Sequence, residues 1–112
     1  MLNTGISLVV PVYNEAEIIA GTLAAFTQEL SCVCGDFEII AVDDGSTDGT
    51  AEILREISET DARVKVIYNP VNEGSGASLW KGFRSAAKEL IVSNFADRPF
   101  SVPDLEGVIR AV

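Results

Sequence analysis

A chain of 112 residues has room for one domain, and an apolar content of 47 % is enough for a core, which excludes a disordered or low-complexity chain. With 17 acidic against 8 basic residues the net charge is -9, so the surface repels nucleic acid and anionic membrane, and a phosphorylated ligand has to be held locally by backbone N–H groups, a metal or a few cations. Met1 to Gly5 carry no signal peptide, and no apolar run approaches the ~20 residues of a membrane span.

The chain alternates strand and helix. Ile6 to Val12 is a short, nearly continuous apolar run, as expected of a parallel strand covered on both faces. Asn14-Glu15-Ala16-Glu17 reads as a capping box, and behind it Ile19, Leu23, Phe26 and Leu30 fall on one helical face. Cys32 and Cys34 follow, the only cysteines in a chain without histidine. One residue apart, they are too few for a tetrahedral metal site and poorly spaced for a disulfide, so they read as reduced thiols in a cytoplasmic protein. Phe37 to Val42 is the second strand, Asp43 to Gly49 a turn, and a helix with Ile53, Leu54 and Ile57 inward comes next. Val64 to Tyr68 is the third strand; its loop, Asn69 to Gly76, opens a helix with Leu79, Phe83 and Ala86 or Ala87 on one side. Leu90 to Ser93 is the fourth strand, and after Pro103 the segment Asp104 to Val112 begins a fourth helix.

Four such units imply an α/β fold, a Rossmann-like open parallel sheet with flanking helices and right-handed crossovers. Ligands in such sheets bind beyond the carboxyl ends of the strands. Polar and glycine residues collect at that edge: Tyr13-Asn14-Glu15, Asp43-Asp44-Gly45-Ser46, Asn69 to Gly76, and Asn94 to Asp97.

Adjacent carboxylates closing a buried strand are costly unless a cation or hydrogen-bond donors satisfy them, and at most one faces a given pocket. Asp43 or Asp44 can accept from a ribose hydroxyl or a base N–H. Equally, with Gly45, Ser46, Thr47 and Asp48, they can simply cap the turn and the next helix. Asn72-Glu73-Gly74-Ser75-Gly76-Ala77 can present N–H groups to a phosphate or serve as a plain loop-to-helix turn; it lacks both G-x-G-x-x-G and a G-K-[ST] ending. Asp97 can bind Mg²⁺ or Mn²⁺ completed by diphosphate oxygens, or pair with Arg98 on the surface. Trp80 and Phe83 read as helix packing, Lys81 and Arg84 as the solvated face of that helix.

Taken in order, these segments resemble family 2 glycosyltransferases, the group that includes dolichol-phosphate mannosyltransferase-like and polysaccharide-synthesising enzymes. The residues that carry the resemblance are Val10-Pro11-Val12-Tyr13-Asn14-Glu15, then Glu38 to Thr50, then Asn72 to Ala77 with Gly82 beyond. The resemblance implies a GT-A fold, of which this chain is the nucleotide-sugar-binding half. It implies inverting transfer of a sugar from a UDP- or GDP-sugar to an acceptor hydroxyl of a lipid or glycan, with Mg²⁺ or Mn²⁺ at the diphosphate. Pro11, Tyr13 and Glu15 then line the nucleobase and ribose site, Asp44 is a principal nucleotide contact with Asp43 and Ser46 beside it, and Asn72, Gly74 and Gly76 shape the loop near base and diphosphate.

Two departures stand out. Where the family has Asp-x-Asp, this chain reads Phe95-Ala96-Asp97, so that Asp97 alone matches the metal-contacting acid. The family's catalytic base lies further downstream than Val112, so no residue here takes that role, and residues 1–112 read as a domain truncated at its C-terminus, with self-association as a consequence of the cut edge. A non-catalytic nucleotide-sugar-binding module is the alternative. A phospho-acceptor receiver domain is disfavoured, because its acidic residues follow the first and third strands, which here end in Tyr13-Asn14-Glu15 and Tyr68-Asn69-Pro70.

Overall fold

The computed structural model describes residues 4–96. Strands β1 (Ile6–Val12), β2 (Phe37–Asp44), β3 (Val64–Asn69) and β4 (Leu90–Ser93) alternate with helices α1 (Ile19–Val33), α2 (Thr50–Thr60) and α3 (Ser75–Ser85). All pairings are parallel, in the order β3-β2-β1-β4. The expected fourth helix, with Asp97 and Arg98, lies outside the described residues.

Burial explains the run-like character of the central strands. Every residue of β1 and β2 is buried, whereas β3 and β4, at the sheet's flanks, are only partly so. Ile6, Leu8, Val10 and Val12 of β1, with Ile39 and Ala41 of β2, meet the predicted stripe Ile19, Leu23, Phe26 and Leu30 of α1 and Leu54 of α2. Ile53 and Ile57 pack at the margin of this cluster. On the other face Val9, Ile40 and Val42 meet Leu79, Phe83 and Ala86 around α3. Gly82 brings α3 down onto β1: a Cβ there would lie 2.3 Å from Val9 Cγ1. Trp80, expected to pack, is instead 61 % exposed, because Ser78, Leu79, Gly82 and Phe83 supply the sheet-facing side of the helix.

At the opposite edge from the loops with polar tips, Glu38 is buried and accepts from Ser7 Oγ at 2.6 Å, Lys65 Nζ at 2.6 Å and the Ala87 N–H at 2.7 Å. Ser7 Oγ in turn accepts from the Lys88 N–H. These bonds fix the turn that delivers the chain from α3 into β4. Burial pushes the Glu38 carboxyl up, but its donors outweigh that and bring it down to about 2. Cys34 is buried and donates to backbone carbonyls, Cys32 is exposed, and both are free thiols.

Candidate functional site

Between β1 and β4 the order of strands reverses direction, the place where open α/β sheets form a ligand crevice. Three loops converge there, running from β1 to α1, from β2 to α2 and from β3 to α3.

The first two are zipped together. The Asn14 N–H donates to Ser46 Oγ at 2.9 Å, and the Thr47 N–H donates back to Asn14 Oδ1 at 2.8 Å. The Glu15 N–H donates to Thr50 Oγ1 and the Ala16 N–H to Asp48 Oδ2. This arrangement overturns the expected capping box. Asn14 has φ 51, in the left-handed region that asparagine tolerates best among residues with a side chain, and α1 begins only at Ile19, without a side-chain cap. Asp48, by contrast, does serve the next helix: the Thr50 hydroxyl and N–H hold its carboxyl below the usual carboxylate range.

The third loop hangs on Asp44. Its Oδ1 accepts from the Glu73 N–H at 2.7 Å and Asn69 Nδ2 at 3.0 Å, and its Oδ2 accepts from the Gly74 N–H at 3.0 Å. Burial raises the Asp44 carboxyl, but these donors prevail and hold it below its ordinary value, so it is an anion at neutral pH. Gly45, at φ +74, lets the loop lie directly on it; a Cβ would come within 2.6 Å of the backbone of Val71 and Asn72.

A cleft of ≈ 390 Å³ opens among these loops. Of the residues singled out in the sequence, Pro11, Tyr13, Glu15, Asp44, Asn72 and Gly74 line it, and Val12, Ser75 and Phe95 complete the wall. Asp43, Ser46 and Gly76 are not among its lining residues. Asp43 projects from the other face of β2, where its buried Oδ1 accepts no hydrogen bond from the described residues. Ser46 is engaged with Asn14, and Gly76 is exposed in the first turn of α3. Asp97 lies outside the described residues, and among those described no group of three or more potential ligands could hold a metal ion. Another hollow of similar size, between α1 and α2, is lined largely by apolar groups such as Leu23, Ile57 and Val64 and offers little chemistry.

Sequence reasoning missed the anchors beneath the cleft. Asn69 is buried and bridges Asp44 and Ser78, while Lys81, expected on the solvated face, reaches Asn69 Oδ1 at 2.8 Å and Glu73 Oε2 at 2.9 Å. The available signal was Asn69 itself, a side-chain amide at the carboxyl end of a strand, where ligand sites of such sheets lie.

Comparison with known proteins points the same way as the cleft. The Aeromonas hydrophila undecaprenyl-phosphate 4-deoxy-4-formamido-L-arabinose transferase is 33 % identical over 94 residues, covering 82 % of this chain and 28 % of that protein. An uncharacterised glycosyltransferase of Haemophilus influenzae is 37 % identical over 87 residues, covering 77 % and 33 % respectively. Among solved structures, the mannosyltransferase PcManGT of Pyrobaculum calidifontis, in complex with GDP-Man and Mn²⁺, superposes with a TM-score of 0.82 at 25 % identity, over 97 % of this chain and 32 % of that one. S. aureus TarS in complex with UDP-GlcNAc gives 0.72 at 25 % identity, over 95 % and 30 %. The chain thus spans about a third of the length of these relatives. The sequence model of glycosyl transferase family 2 matches residues 7–111, nearly the whole of this parallel sheet and its loops, and the chain belongs to that family.

Proposed function

We propose that this chain binds the nucleotide of a UDP- or GDP-sugar and forms the donor half of an inverting glycosyltransferase acting on a lipid or glycan acceptor. The observation that carries the reading is the cleft at the strand reversal, where Pro11, Tyr13, Glu15, Asp44, Asn72 and Gly74 come together. Tyr13 is 45 % exposed and offers a ring face to a base. Asp44 keeps acceptor capacity on Oδ2, which receives a single N–H from the loop, for a nucleoside donor.

The diphosphate needs a counter-charge in a chain of net charge -9. The described residues do not form a protein-only cation cage, so a Mg²⁺ or Mn²⁺ ion would rest on Asp97 and on the diphosphate itself. Phe95, which stands where the family has its first acid, gives that part of the cleft an apolar wall instead. No helix among the described residues is long and apolar enough to cross a membrane. The cytoplasm, where Cys32 and Cys34 stay reduced, is the proposed compartment. Calorimetric titration with UDP, GDP and their sugars, with and without Mn²⁺, tests the reading. Saturable binding of one nucleotide series supports it, Asp97→Ala should abolish any gain from Mn²⁺, and absence of binding by both series overturns it.

A further inference from the structure

We infer that Lys81 is a positioning residue for the nucleotide cleft, setting the loop between β3 and α3 from beneath; the consequence for affinity rests on the proposed nucleotide-binding role of that cleft. Lys81 sits on α3 and does not line the cleft. Its ammonium ties α3 to the end of β3 and to the loop between them. It donates to Asn69 Oδ1 at the end of β3 at 2.8 Å and to Glu73 Oε2 in the loop at 2.9 Å.

Each leg has a defined consequence. A cation at Oδ1 of Asn69 admits only one orientation of the amide, because a flipped amide would set NH₂ against NH₃⁺. In that orientation Asn69 Nδ2 donates to Asp44 Oδ1 and to Ser78 Oγ, both buried. Asp44 is thereby held where its two oxygens receive the N–H groups of Glu73 and Gly74. The second leg fixes the side chain of Glu73, whose backbone N–H makes the shortest of these bonds to Asp44. Bonds in such a chain polarise one another, and removing one member leaves the buried remainder short of a donor. Because Lys81 is about a third exposed, its ionic attraction is partly screened, and its effect lies in orientation more than in raw stability. The loop so fixed carries Asn72 and Gly74, two walls of the cleft.

The test compares Lys81→Met, Lys81→Arg and Glu73→Gln with the parent chain by amide hydrogen exchange and by titration with UDP and GDP. In Lys81→Met, exchange at Glu73 and Gly74 should accelerate about tenfold or more while the amides of β1 and β2 keep their rates, with partial recovery in Lys81→Arg. Whichever nucleotide the parent binds should bind about threefold to tenfold more weakly to Lys81→Met. Unchanged exchange at Glu73 and Gly74, or parental affinity in a folded Lys81→Met chain, overturns the inference and leaves the nucleotide reading standing. If the parent binds neither nucleotide, it is the functional reading that falls, and the exchange data alone decide the role of Lys81. Should Lys81→Met fail to fold, Glu73→Gln decides: it removes the charge from the loop leg alone and should accelerate exchange at Gly74.

Discussion

Replacing Glu38 by glutamine perturbs a buried carboxylate whose hydrogen-bond partners Ser7, Lys65 and Ala87 all lie away from the cleft. Its carboxyl lies at about 2 in the folded chain against 4.5 for an unperturbed glutamate. That depression corresponds to about 3 kcal/mol of stability. Because the folded value is the lower one, the contribution is fully present above about pH 4.5 and drains away as the pH falls toward 2. Lys65, one of its donors, is more than half exposed, so salt should weaken that part of the effect. Glutamine keeps one acceptor oxygen but turns an NH₂ toward groups that are themselves donors, Lys65, Ser7 or the Ala87 N–H. Urea unfolding of parent and variant at a series of pH values isolates the term, since the other carboxylates titrate alike in both. The difference should be about 2–3 kcal/mol at pH 7 and shrink below about 1 kcal/mol near pH 2. A difference independent of pH would refute the electrostatic account of Glu38 and leave only packing.

Other substitutions probe separate joints of the fold. Gly82→Ala forces a methyl into Val9 and should cost about 1–3 kcal/mol in thermal unfolding, and a neutral result would show that α3 can lift off β1 freely. Gly45→Ala combines a left-handed φ with a clash against Val71 and Asn72, so the loop above it should lose exchange protection before the sheet does. Asn14→Ala removes the acceptor for Thr47 and leaves alanine at φ 51, for an expected loss of about 1–2 kcal/mol by urea unfolding; a loss within error would mean that the two loops are not coupled. Tyr13→Ala, at an exposed site, should weaken nucleotide binding while leaving the unfolding midpoint within about 0.5 kcal/mol of the parent.

Much of the architecture was legible because hydrophobic pattern and tertiary burial agree. The runs Ile6–Val12 and Leu90–Ser93 are strands with the bounds the pattern suggests, and the α1 stripe is buried as its spacing requires. What local pattern could not show is where polar side chains find distant partners. β2 continues two residues past its apolar run because Asp43 and Asp44 pair in register with Val12 and Asn69 of the neighbouring strands. Asn14-Glu15-Ala16-Glu17 has the look of a cap, but residues more than thirty positions away claim its N–H groups and the Asn14 side chain. Lys81 has the spacing of a solvated residue, and only the packing of α3 against β3 reveals its two acceptors. The loop motifs placed Tyr13, Glu15, Asp44, Asn72 and Gly74 near one edge, yet the engagement of Asp44 with the loop itself follows from the backbone path around Gly45.

Amide and side-chain chemical-shift mapping of the chain, titrated with UDP and then with GDP in the presence of Mn²⁺, tests most directly whether the cleft at the strand reversal is a nucleotide site. Saturable shifts should concentrate at Tyr13, Glu15, Asp44, Asn72 and Gly74 for one of the two nucleotides. Shifts confined to the hollow between α1 and α2, around Leu23 and Ile57, or no shifts with either nucleotide at millimolar concentration, would contradict it.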